Sequence, residues 1–138
     1  MRNNVFVDTS GWAEILDDTL PMHHQAEELA KSCVKNAGRL VTTDLILIEL
    51  TALLTSPLKM PKARQIPIMQ QLRSDASIVV ISAAQHVPDA WHLWENRQDK
   101  DWSMVDCVSF VVMQKLELLE AITSDHDFEQ AGFVQLLK

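Results

Sequence analysis

Apolar residues recur along this chain in two rhythms. Short unbroken runs occur at Val5-Phe6-Val7, Leu40-Val41-Thr42 after Arg39, Ile78-Val79-Val80-Ile81 after Ser77, Ala121-Ile122-Thr123, and over residues 133–137. Each is bounded by residues that start turns or helices, so each reads as a buried strand. Between them lie longer stretches in which apolar residues return at helical spacing: 9–17, 22–36, 44–54, 61–73, 83–95, 103–116 and a short one at 125–130. Pro21 suits the start of the second helix. Asp44 reads as the N-cap of the third, with Pro57 beyond its end. The fourth carries Ile66, Met69 and Leu72 on one side. Pro88 is awkward in a helix over 83–95, and Ser103 is placed to cap the next one.

Short apolar strands alternating with helices predict an α/β/α sandwich around a mainly parallel sheet. Such sheets bind ligands beyond the carboxyl ends of their strands. Asp8 follows the first strand at once, Asp44 and Asp125 follow others, and Asp106 falls in the first turn of its helix.

With 138 residues, 47% of them hydrophobic, the chain fits one domain over 1–138 with one core. Few glycines and prolines argue against a disordered arm. Cys33 and Cys107 read as small buried hydrophobes, since a disulfide framework or a zinc site needs more cysteines or closer spacing. The N-terminus is too poor in apolar residues for a signal peptide, and no apolar run nears the roughly 18 residues a membrane helix needs. The cytoplasm is the expected compartment. The formal charge of −7, from 12 Lys+Arg against 19 Asp+Glu, weighs against a nucleic-acid partner.

The acids carry the chemistry. Glu49 is the only charge after Asp44 in a helix apolar on nearly every side, Leu45 to Leu54. It is expected to be buried, where a carboxylate needs a cation or an ion-pair partner. Asp8 could cap a helix, but Thr9 and Ser10 could do so equally well, so a cap does not require it. Ser103-Met104-Val105-Asp106 has the form of a capping box with Asp in the reciprocal place; a carboxylate in that first turn can also bind metal. Asp101, on the preceding loop, is a further candidate. In Thr123-Ser124-Asp125-His126-Asp127-Phe128, Asp125 or Asp127 could cap a helix, and their alternation predicts that they point apart.

Together these are hard oxygen ligands suited to Mg²⁺ or Mn²⁺. His23, His24, His86, His92 and His126 lack zinc-site spacing, and the His23-His24 pair reads as a solvated helix start. No dinucleotide-binding glycine motif, phosphate-binding glycine-lysine loop or serine nucleophile elbow is present. An acidic metal site of this kind suits phosphodiester hydrolysis.

The same residues resemble the PIN-domain family, and within it the VapC-type toxins of toxin–antitoxin pairs, over nearly the whole chain. Val5-Phe6-Val7-Asp8-Thr9-Ser10 is similar to the family's opening strand and first aspartate, and His23-His24-Gln25-Ala26 to its H-x-x-A helix. Asp44 to Glu49 is similar to the glutamate helix, Ser103 to Asp106 to its S-x-x-D, and Thr123 to Phe128 to its closing T-x-D-x-x-F. Cys107 stands where the family usually has a small residue. The resemblance implies a parallel sheet of four or five strands flanked by helices, and a Mg²⁺- or Mn²⁺-dependent endoribonuclease. It implies Asp8, Glu49 and Asp106 as core ligands and Asp125 as the fourth acid. Thr9 and Thr123 would position an acid, a water or a phosphate, with Ser103 supporting Asp106.

In this reading the metal partly neutralises the acids. Lys59, Lys62, Arg64 and Arg73, with Arg97 and Lys100, are then available to RNA phosphates. The expected partners are RNA, an antitoxin protein and a second copy of the chain. Exposed apolar side chains mark interfaces, and Ile66, Met69, Leu72, Trp91, Trp94 and Trp102 are the candidates. Two rivals stand beside the ribonuclease: a Mg²⁺-dependent phosphatase, against which no lysine ends a strand, and a degenerate PIN-like module that only binds a partner or RNA. The RNA cleaved, the antitoxin and the number of metals are open at this point, as is whether Asp101 or Asp127 joins the site.

Overall fold

The computed structural model describes residues 3–138. Five strands form one sheet in the order β3-β2-β1-β4-β5, and every neighbouring pair is parallel. They are β1 (Val5–Val7), β2 (Leu40–Thr43), β3 (Ile78–Ile81), β4 (Glu120–Ile122) and β5 (Val134–Gln135). The helices that flank them are α1 (Thr9–Leu16), α2 (His23–Lys35), α3 (Asp44–Thr55), α4 (Lys62–Ser74), α5 (Val87–Asn96), α6 (Met104–Lys115) and α7 (Asp127–Gln130). β1 lies at the centre, covered on both faces, which is why Val5, Phe6 and Val7 are all apolar and buried. The core joins Phe6, Trp12, Ile46, Leu50, Leu54, Met113 and Phe128. Cys33 and Cys107 are buried free thiols.

From β1 the chain adds β2 and β3 on one side, then returns to place β4 and β5 on the other. The order therefore reverses between β1 and β4. At such a switch point the loops leave in opposite directions and open a crevice beyond the strand ends. Asp8 and Thr123 are the first residues past the carboxyl ends of those two strands.

Several elements differ from expectation. Thr43, not Asp44, caps α3: its hydroxyl accepts the Ile46 N–H at 3.1 Å. Asp44 is the first residue of the helix, and its Oδ1 accepts the Ala83 N–H at 3.0 Å, tying α3 to the chain leaving β3. The stretch over 83–95 divides into a 3-10 turn (Ala84–His86) and α5, with Pro88 in the first turn of α5, where it displaces no helical hydrogen bond. The last helix starts at Asp127 and the last strand has two residues. In α4, Met69 and Leu72 face inward while Ile66 is exposed; Gln65 takes the buried place, donating to Met60 O at 2.8 Å. Trp102 is buried, packed edge-on against Phe110 with ring centres 5.0 Å apart. Trp91 and Trp94 are exposed as expected.

Candidate active site

Asp8 leaves β1 and caps α1. Its Oδ1 accepts the Gly11 N–H at 2.9 Å and the Ser10 hydroxyl at 2.8 Å; its Oδ2 accepts the Thr123 hydroxyl at 2.7 Å. The cap is therefore Asp8 itself, although Thr9 and Ser10 were equally able candidates by type. Burial pushes its pKa up to about 6: desolvation outweighs the hydrogen bonds to Gly11, Thr123 and Ser10, and the nearby Asp125 charge adds to the rise.

Gly11 allows this arrangement. A Cβ there would stand 1.9 Å from the carbonyl oxygen of Ile122, so only glycine lets α1 settle against the end of β4. From Thr123 the hydrogen bonds continue outward. Ser10 Oγ lies 3.3 Å from Thr123 Oγ1 and accepts the Ser124 N–H at 3.1 Å; Thr123 Oγ1 accepts the Asp125 N–H at 3.0 Å. Asp125 Oδ1 accepts the Asp127 N–H at 2.9 Å. That last bond turns the chain, so residues 125 and 127 do not alternate as they would in a strand. The expectation that they point apart is thereby corrected.

Asp106 comes from α6. Ser103 and Asp106 form the reciprocal capping box: the Asp106 N–H donates to Ser103 Oγ at 3.0 Å, and the Ser103 N–H to Asp106 Oδ2 at 3.3 Å. Asp106 is half-buried, and its pKa is raised to about 7, by desolvation first and then by Asp125. One carboxylate oxygen from each of Asp106, Asp125 and Asp127 lies within 4.8 Å of the others. Burial and the Asp125 charge also raise Asp127.

Glu49 is exposed, not buried. α3 turns Ile46, Leu47, Leu50 and Leu54 to the core and leaves Ile48 and Glu49 outside, so its uniform hydrophobicity masks a wet side. The Glu49 carboxylate accepts a hydrogen bond from the Thr9 hydroxyl, one residue from Asp8. Asp101 is exposed on the loop into α6. The structure thus gathers Asp106, Asp125 and Asp127, links Asp8 to them through Thr123, and ties Glu49 to Thr9. Sequence reasoning passed over Ser10 and Gly11 as site residues; a polar Thr-Ser-Gly directly after a strand-end Asp was the available signal.

These residues fit a divalent cation. All donors are oxygens, and among the described residues none of the five acids shares a salt bridge with a basic side chain. Burial first, and the Asp125 charge after it, raise the pKa values of Asp8 and Asp106; a hard cation beside these carboxylates would favour their charged forms. The neighbouring Cys107 thiol is pushed up to about 11 by burial and by Asp106, so it is no nucleophile.

Known proteins resemble this chain over nearly its whole length. The 23S rRNA-specific endonuclease VapC20 of Mycobacterium tuberculosis, matched from two strains, is 28% identical over 133 residues, covering 96% of this chain and 97% of the relative. The crystal structure of M. tuberculosis VapC20, described as a sarcin-ricin loop cleaving toxin, superposes with a TM-score of 0.82 at 26% identity, covering 97% of this chain and 99% of that one. The PIN domain profile matches residues 5–134. The chain belongs to the PIN-domain family.

Proposed function

We propose that this chain is a metal-dependent endoribonuclease, the toxin of a toxin–antitoxin pair, with Mg²⁺ or Mn²⁺ held by Asp8, Glu49, Asp106 and Asp125. The observation that carries the reading is the meeting of Asp106, Asp125 and Asp127 within 4.8 Å, linked to Asp8 by two hydrogen bonds through Thr123, at the switch point of a PIN-family sheet. A bound divalent cation supplies Lewis acidity to phosphate oxygens and activates water for attack. The chain's own residues arrange the rest. Gly11, Ser10 and Thr123 fix both oxygens of Asp8, and the capping box fixes Asp106. Thr9 orients Glu49. Asp127 belongs to the same cluster and would be a further residue able to hold the cation.

The named relatives cleave ribosomal RNA, and RNA of that class is the proposed substrate. A cognate antitoxin would cover the site, and the chain would pair with a second copy through its exposed apolar side chains. No helix among the described residues is long and apolar enough to cross a membrane, and the proposed place of action is the cytoplasm. The test is incubation of the purified protein with RNA in Mn²⁺ and in EDTA. Cleavage in Mn²⁺ that stops in EDTA is expected, whereas intact RNA in both overturns the reading.

A further inference from the structure

Beyond β4, a short segment carries Asp125 and Asp127 into α7, and the strands on either side of β4 both reach it. On the β1 side, Thr123 Oγ1 links Asp125 to Asp8. On the β5 side the ties come from residues 135–137. The Leu137 N–H donates to the Thr123 carbonyl at 3.2 Å. Gln135 Nε2 donates to the Leu137 carbonyl at 2.8 Å, and Gln135 Oε1 lies 3.1 Å from His126 Nδ1. With the backbone from 123 to 126, these bonds close a ring through Thr123, Leu137, Gln135 and His126.

The chemistry of the ring fixes its protons. A carbonyl oxygen only accepts, so the amide nitrogen of Gln135 faces Leu137 and the amide oxygen faces His126. That oxygen also only accepts, so His126 Nδ1 carries the proton and donates it. Gln135 is 4% exposed, too buried for bulk water to replace either bond, whereas His126 lies at the surface between the two acids. Those acids meet Asp106 within 4.8 Å. Like charges so placed repel, and an unbraced turn would open until they parted. A ligand set that is already convergent spares binding the cost of ordering it.

Resting on the metal site proposed above, we infer that Gln135 and His126 are positioning residues for the cation: the buried Gln135 amide holds the His126 ring, and His126 holds the turn that presents Asp125 and Asp127. Neither side chain is itself a ligand. Outer groups that orient ligands in this way are typically worth roughly 10–100-fold in metal affinity.

Titration of the RNA-free protein with Mn²⁺, with the free ion followed by electron paramagnetic resonance, tests this apart from cleavage. His126→Phe keeps a ring but has no N–H to offer, and is expected to weaken Mn²⁺ binding about tenfold or more. His126→Asn should bind close to wild type, because its amide N–H takes the place of Nδ1–H. Gln135→Leu should behave as His126→Phe does; if it does not fold, the two His126 variants decide. Gln65→Leu is the control for a merely structural loss. The Gln65 amide is buried in α4 and serves Met60 and Thr55, so its removal should lower the melting point and leave Mn²⁺ affinity alone. Long-range ¹⁵N–¹H spectra of the metal-free protein in mildly alkaline buffer should show the His126 proton on Nδ1. Wild-type affinity in His126→Phe overturns the inference, as does an Asn variant as weak as the Phe variant, an equal loss in Gln65→Leu, or a proton on Nε2. In each of these cases wild type still binds Mn²⁺ and the metal site stands. A wild type that binds no Mn²⁺ overturns the metal site and this inference together.

Discussion

The Thr123 hydroxyl donates to Asp8 Oδ2 at 2.7 Å, joining residues 115 positions apart. The bond spans the crevice between β1 and β4. It holds the carboxylate that starts α1 against the loop that carries Asp125, so it ties the two halves of the acid site together. Its partners on both sides are buried or half-buried, where an unmade hydrogen bond costs about 1–3 kcal/mol.

Asp8→Asn and Asp106→Asn are expected to lower RNA cleavage at least ~100-fold while leaving circular dichroism unchanged. Asn keeps the capping geometry and removes the charge that holds the cation. Among the remaining acids, Asp125→Asn should cost more than Asp127→Asn, and both more than Asp101→Asn, because Asp125 is the charge that raises Asp8, Asp106 and Asp127 alike. Initial rates for the five variants check the order; a fully active Asp8→Asn or Asp106→Asn removes that residue from the site.

The pH dependence of stability follows from the same two carboxyls. Asp8 and Asp106 titrate near 6 and 7 in the folded chain, against 3.8 when unperturbed. Between about pH 4 and 7 the folded state therefore binds more protons than the unfolded state, and these groups make stability fall as pH rises. The metal-free protein should melt higher at pH 5 than at pH 8, and Asp106→Asn should flatten that difference. Asp17, Asp75, Asp89 and Asp99, whose pKa values are lowered, act below this window. Thermal melts in chelator at the two pH values decide it; a higher melting point at pH 8 contradicts the assignment.

Metal should stabilise the folded chain selectively. At about 100 times its Kd, a ligand of the native state alone adds roughly 2.7 kcal/mol, a rise of several degrees for a domain this size. Glu49→Gln should shrink that rise. In EDTA it should melt within about 0.5 kcal/mol of wild type, as exposed substitutions do, because Glu49 lies outside the core. Melts of both proteins with Mn²⁺ and with EDTA give the comparison. An identical Mn²⁺ shift in the variant would show that Glu49 does not bind.

Gly11→Ala is expected to reduce stability by about 1–3 kcal/mol, the usual cost of overpacking, and to lower cleavage as well. The added methyl would meet the Ile122 carbonyl at 1.9 Å, and neither backbone can yield without parting Asp8 from Thr123. Urea unfolding and the nuclease assay measure the two effects; a variant with wild-type values in both would show that α1 is free to shift.

The pure chain should sediment as a dimer at micromolar concentration. Ile48 is 66% exposed and lines a cleft of about 340 Å³ with Leu47, Met69 and Val80; Ile66, on α4, is 47% exposed. Ile48→Glu should shift the chain toward monomer without lowering its melting point. A wild type that is strictly monomeric sinks the dimer.

Much of this protein was legible in its residues. Val5-Phe6-Val7 ending at Asp8 announced a central strand with a carboxylate at its carboxyl end, and Ser103 to Asp106 announced the capping box, because both depend on near neighbours in the chain. The alternation of such strands with helices was enough for a parallel α/β sandwich.

Other features depend on what packs against what, which near neighbours do not encode. The apolar run from Leu45 to Leu54 concealed an exposed side bearing Ile48 and Glu49, because periodicity cannot rank faces when nearly every position is apolar. Trp102 went inside, where Phe110 and Gln130 were waiting for it, while Trp91 and Trp94 stayed out. Asp127 joined the acid cluster only because the Asp125 carboxylate turns the chain after β4. The sequence by itself determined the elements, their order and the acids at their ends. Tertiary structure decided which acids meet, because that depends on the sheet reversing between β1 and β4 and on Gly11 letting α1 close against Ile122.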